Sequence, residues 1–106
     1  MNIQIHARNI PLTRAVHDLA IRRLGYALGR FAHLIGNISL RLSDTNGPKG
    51  GVDVEALALV ELRQGTRLVV RGAYASPQEA VSAIVERVRH NVQRCHDRLA
   101  KTHTLA

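Results

Sequence analysis

The stretch "VDVEALALVELRQGTRLVVRGAYASPQEA", residues 52–80, decides the fold. In "VDVEALALVEL" every second residue is apolar: Val52, Val54, Ala56, Ala58, Val60 and Leu62 fall on one face, and Asp53, Glu55 and Glu61 on the other. That alternation predicts a strand with one buried face. "RQG" is a short hairpin connection. "TRLVVRGAY" then alternates again, with Leu68, Val70 and Tyr74 inward and Arg67 and Arg71 outward. Outward Arg and Glu side chains on neighbouring strands are expected to pair across the sheet. "SPQEA" opens a helix, with Ser76 as N-cap, Pro77 at the first position and Glu79 three residues after the cap.

Working outward, the final helix is predicted to run to about Lys101. Val81, Ile84, Val85, Val88, Val92, Cys95 and Leu99 cluster in one direction at 100° per residue and form its core stripe. "NISLRL" (37–42) reads as another strand, and "SDTNGPKGG" (43–51) as a loop dense in turn residues. With so little to pack, that loop is expected to be mobile in the free protein. From Leu12 to about Ala32 apolar residues recur at helical spacing, predicting a long amphipathic helix that begins with Pro11 in its first turn and is closed off by Gly36 and Asn37. "NIQIHA" (2–7) is a short strand.

The predicted order is therefore β-α-β-β-β-α: an α+β fold, a four-stranded sheet with two helices packed on one face. Each helix has one apolar stripe and the sheet one apolar face, so the stripes and the face must meet. One domain is expected over residues 1–106. Only Tyr26, Phe31 and Tyr74 are aromatic, so the core must be aliphatic.

The formal net charge is +7, and residues 11–35 and 77–106, the two helical segments, carry +3 and +2 of it. Such a bias favours a polyanionic partner. It is also sorted. On the last helix Arg87, His90, Arg94, Arg98 and Lys101 lie within about 80° of one another, nearly opposite the core stripe. Glu79, Glu86 and Asp97 run along one side of that row. From Arg87 to Lys101 the row is about 21 Å long, the scale of several nucleic-acid phosphates. The first helix leaves Arg22, Arg23, Tyr26 and Arg30 along one exposed edge. Gly25 and Gly29 are exposed there too, and each costs about 1 kcal/mol of helix stability against Ala. Either the helix tolerates them or a partner's backbone comes close there. A solvated face is the plain explanation of either basic row alone. Two sorted rows together point to nucleic-acid binding.

Other chemistries find little support. Cys95, the single cysteine, falls on the apolar stripe and reads as a packed thiol, with no intrachain disulfide to form. His90, His96 and His103 share no face, and no HExxH or CxxC occurs. "GPKGG" lacks the GK[ST] ending of a phosphate loop. Asp53, Glu55 and Glu61 are better explained by cross-strand pairing with Arg67 and Arg71 than by acid-base work. No enzyme, cofactor, metal or small-molecule substrate is expected. No leader pattern and no apolar run of membrane-spanning length is present, so a soluble cytoplasmic protein is expected.

Three stretches, "LTRAVHDLAIRRLGYALGRF", "DTNGPKGGVDVEALALVEL" and "ASPQEAVSAIVERVRHNVQRCHDRLAK", together resemble the ribosome hibernation-promoting factor family over roughly residues 2–101. The resemblance implies the same β-α-β-β-β-α fold. It implies binding to rRNA of the small ribosomal subunit, in the channel taken by mRNA and tRNA, and silencing of translation under stress. By position it implies RNA contacts from Arg23, Arg87, His90, Arg94 and Arg98. With the rows read above, the candidate RNA-binding set is Arg22, Arg23, Tyr26, Arg30, Lys49 in the loop, Arg87, His90, Arg94, Arg98 and Lys101. Tyr26 stands where relatives often have Lys, and His90 where they often have Arg or Lys. Tyr26 either stacks on a base or covers apolar surface. The chain ends at Ala106, so the resemblance is to the short form. The alternatives are a general double-stranded-RNA module and a protein-interaction domain using Leu57, Leu59 and Val69 on the outer sheet face.

Overall fold

The computed structural model describes residues 1–44 and 53–105, with side chains through Leu99. The elements are β1 (Asn2–Arg8), α1 (Arg14–Leu28), a 3-10 turn (Gly29–Phe31), β2 (Ile35–Asp44), β3 (Val54–Leu62), β4 (Arg67–Tyr74) and α2 (Pro77–Leu105). The expected order and fold class are the ones found.

The sheet runs β1-β2-β3-β4. β1 pairs parallel to β2, as a strand-helix-strand crossover through α1 allows, and the other two pairings are antiparallel. One face of β2, β3 and β4 is buried, and β1 packs its half-buried Ile3 and Ile5 against the same core. The buried face contributes Ile38, Leu40, Leu42, Val54, Ala56, Ala58, Val60 and Val70. Against it lie Val16, Ala20, Leu24 and Leu28 of α1, four residues apart on a single stripe, and Val81, Ile84, Val85, Val88 and Val92 of α2. Each large aliphatic side chain so buried contributes about 1.5–3 kcal/mol relative to exposure. Phe31 alone adds a fully buried aromatic ring. Among the described residues no polar or charged residue is buried.

Local chemistry fixes the ends of the elements. Ser76 caps α2: its Oγ accepts from the Glu79 N–H at 3.1 Å, and its carbonyl accepts from Ala80 at 2.9 Å. Gly65 takes φ +109° in the β3–β4 turn, where its N–H donates to the Leu62 carbonyl at 2.9 Å. A side chain would be strained there.

Four expectations are corrected. Helix α1 begins at Arg14 and not at Pro11, because Thr13 is extended and its Oγ1 accepts from the Val16 N–H at 3.2 Å. At its other end α1 stops at Leu28 and tightens into the 3-10 turn, rather than continuing to Ala32. Gly36 does not end a helical region. It lies inside β2 at a register shift between Ile35 and Asn37, and a Cβ there would press on the Glu61 carbonyl at 3.3 Å. An unpaired bulge residue squeezed against the next strand favours glycine. Ser43 and Asp44, expected in the loop, extend β2, and the rest of that loop through Val52 lies outside the described residues.

Candidate nucleic-acid interface

α2 is 29 residues long, about 43 Å of helix at 1.5 Å per residue. Its apolar stripe is pinned to β3, β4 and α1, so the opposite side must face outward. Arg87, His90, Arg94 and Arg98 are all exposed there, as the helical spacing requires. Arg87 is held against the sheet: its Nη1 donates to the backbone carbonyl of Arg71 on β4 and lies 3.5 Å from the Tyr74 hydroxyl. Gly72 makes room for this, because a Cβ there would run into the Tyr74 ring. Lys101 lies within the span of α2, but its side chain is outside the described residues, as is Lys49 altogether.

The first helix points its charge elsewhere. Arg22, Arg23, Tyr26 and Ala27 line a cleft of about 310 Å³, closed on the α2 side by Ser82, Val85 and Glu86. Tyr26 is 92% exposed, the most exposed large apolar-bodied side chain described. One turn on, Arg30 donates to Gln93 Oε1 across the helix pair, and its guanidinium stacks 4.7 Å over Phe31. Gln93 in turn donates to Asp97 Oδ1 at 3.0 Å. A neutral amide thus links the Arg30 cation to the acidic margin of α2. Phe31 meets His96 with ring centroids 5.4 Å apart.

The acidic margin therefore lies between the two basic rows. Glu86 pairs with Arg89 at 3.0 Å, a residue the sorted row leaves out. The structure brings Arg22, Arg23 and Tyr26 together at the cleft, ties Arg30 to α2, and sets Arg87, His90, Arg94 and Arg98 on a separate flank. The eight candidates whose side chains are described do not form one continuous patch.

The outer sheet face carries cations that the helical pattern misses. Arg41 and Arg71 lie on either side of Leu57 in register, and His6 is beside Arg41. Arg41, Leu57 and Arg71, with Ser43, Glu55 and Ala56, line a shallow hollow of about 160 Å³. Alternation alone turns Arg41 outward. Its alignment with Arg71 depends on strand order and register, which the sequence does not carry. The expected cross-strand pairing holds for Glu61 and Arg67, in register and 3.9 Å apart. It does not hold for Arg71, which faces Leu57, because β3 places no carboxylate at that register position. Leu57 and Leu59 are half-buried and Val69 is 55% exposed opposite Leu59. Cys95 packs against the core edge as its stripe position required.

No described helix is long and apolar enough to cross a membrane. Among the described residues no three His, Cys, Asp or Glu side chains are grouped to hold a metal ion.

In class this is an α+β domain that lays two helices with sorted basic faces over one side of a four-stranded sheet. No protein-family model matches the chain, and no curated sequence is similar to it. Among solved structures it is similar to a ribosomal subunit interface protein from Coxiella burnetii, with a TM-score of 0.79 at 14% identity over 92% of this chain and 99% of that one. It is also similar to the N-terminal domain of Protein Y from Thermus thermophilus, with a TM-score of 0.72 at 23% identity over 89% of this chain and 98% of that one. These likenesses establish the fold from end to end of both neighbours.

Proposed function

We propose that this chain is a ribosome-associated hibernation factor. In this reading it binds rRNA of the small ribosomal subunit through the basic faces of α1 and α2, and silences translation by occupying the channel of mRNA and tRNA. The observation that carries the reading is the overlap with a ribosomal subunit interface protein along nearly the whole of both chains. The sorted basic rows support it: four exposed positions from Arg87 to Arg98 span about 17 Å of helix, a cationic edge suited to a run of phosphates. The role is binding, and it needs no bond-making chemistry. Phosphate contacts hold such a protein in register, and the shape of folded rRNA supplies the selectivity.

Co-sedimentation with isolated ribosomal subunits, with translation inhibition measured beside it, tests the reading. The wild type is expected to follow the small subunit and to inhibit. Arg94→Glu is expected to lose both. Arg63→Glu, the same charge change in the exposed β3–β4 turn, is expected to keep most of both. Equal losses in the two variants reduce the protein to a diffuse polycation. Binding to any duplex RNA with no preference for the small subunit replaces the reading with a general double-stranded-RNA module.

A further inference from the structure

Tyr26 is an aromatic side chain left almost wholly in water, at 92% exposure, in a chain with only three aromatic residues. It does not cover apolar surface, which removes one of its two expected roles. Its neighbours on the helix surface, three and four residues away on either side, are Arg22, Arg23, Gly29 and Arg30. Arg22 and Arg23 line the same cleft as the ring, Arg30 is turned to Gln93 and Phe31, and the fourth neighbour has no side chain. A Cβ at Gly29 would meet nothing within 4 Å, so the protein's own packing does not demand glycine there. What the glycine does is leave the approach to the ring open. Beside the ring is the cleft of about 310 Å³, at the lower end of the volumes that hold small organic ligands. Ala27 and Val85 supply apolar lining, and Ser82 and Glu86 line it from α2. Glu86 receives both of its Arg89 contacts on Oε2.

We propose that this cleft is a pocket for one unpaired nucleotide, in which Tyr26 stacks on the base, Arg22 and Arg23 hold the flanking phosphates, and Glu86 with Ser82 reads a base edge that carries an exocyclic amino group. The proposal rests on the RNA-binding reading above and names the part of the RNA that this site takes. An aromatic ring binds the face of a base, which unpaired loops offer and duplexes conceal. A carboxylate accepts from an amino group and finds no donor of that kind on uracil, so adenine, cytosine and guanine, which all carry one, are preferred over it. The exposed ring and the amino-reading carboxylate favour a nucleotide over an acidic peptide, which the arginines alone would have admitted.

Labelled single-stranded hexamers of adenylate, cytidylate and uridylate are the probes, measured by fluorescence anisotropy at low salt. The chain has no Trp, so the ultraviolet emission of its tyrosines reports base stacking directly. The wild type is expected to bind the adenylate and cytidylate hexamers several-fold more tightly than uridylate, with quenching of tyrosine emission. Tyr26→Ala is expected to lose about tenfold in affinity and most of the quenching, and Tyr26→Phe to keep the affinity. Glu86→Ala is expected to abolish the preference over uridylate. Plain electrostatics predicts the contrary, a uniform gain for all three hexamers from removing an anion. Such a uniform gain, unchanged binding by Tyr26→Ala, or no hexamer binding at all overturns the pocket. Small-subunit binding without hexamer selectivity overturns the pocket and leaves the ribosomal reading in place. Hexamer selectivity without small-subunit binding does the reverse.

Discussion

Both helices carry cations on an exposed side and use them differently. On α1 Arg22 and Arg23 share a cleft with one aromatic ring, and Arg30, in the turn that follows, is held toward α2 by Gln93. On α2 they form a straight row on the outer flank, and Arg87 is anchored to β4. Between the rows stand Glu86 and Asp97. A phosphate chain crossing directly from one row to the other would pass over two carboxylates. The lesson is that a basic face has a shape as well as a charge: α2 is built like a rail for a backbone, and α1 like a socket.

The sharpest way to break this comparison is to reverse charge on each helix separately. Arg94→Glu with Arg98→Glu is expected to weaken small-subunit binding about a hundredfold or more, since each charged contact is worth about 1.5–3 kcal/mol. It should also flatten the dependence of log K on log salt by about 1.4 to 1.8, two contacts at 0.7–0.9 each. Arg22→Glu with Arg23→Glu is expected to cost less and to remove hexamer binding instead. Identical profiles for the two double variants in both assays would mean that the rows act as one surface.

A second measurement separates the inner from the outer side of α2. Ile84 is fully buried, and Ile84→Ala is expected to cost about 2–5 kcal/mol of stability in denaturant unfolding while the folded fraction still binds. Arg94→Glu should do the opposite, with stability kept within about 0.5 kcal/mol. The smallest expected effect is at Gly25, where a Cβ meets open space inside α1. Gly25→Ala is expected to stabilise by about 0.5–1 kcal/mol, read as a rise of a few degrees in Tm. If that variant also loses small-subunit affinity, the partner reaches the α1 backbone and the socket is deeper than drawn here.

The alternation of Val54 to Leu62, the Ser76 cap and the stripe from Val81 to Val92 were all legible in the sequence, because local periodicity and capping chemistry report them directly. So was the exposure of the α2 row. The start of α1 was not, since Pro11 and Thr13 both suit a helix start and the Thr13–Val16 hydrogen bond decides between them. The bulge at Gly36 was misread because a glycine after a helical pattern looks like a terminator, while the register that uses it belongs to another strand. The separation of the two rows was hidden for the same reason. A helical wheel gives directions within one helix, and the angle between two helices comes from packing. Arg41 and Arg71 became neighbours of Leu57 only through the pairing of three strands.

The contact between Arg87 and the Arg71 carbonyl has a consequence beyond recognition. Among the described residues β4 ends the sheet, with a strand neighbour on one side only. Unpaired edges are templates on which further chains add, and proteins blunt them with charge or by covering them. Here a helix arginine occupies a carbonyl of the last strand, so one residue of the α2 row also guards the edge against self-association. Arg87→Ala would release that carbonyl and leave no charge beside it. The expected outcome is concentration-dependent oligomers in sedimentation velocity, which Arg94→Glu does not form. Solubility and recognition meet in Arg87, and its place in the row answers to colloidal stability as much as to RNA.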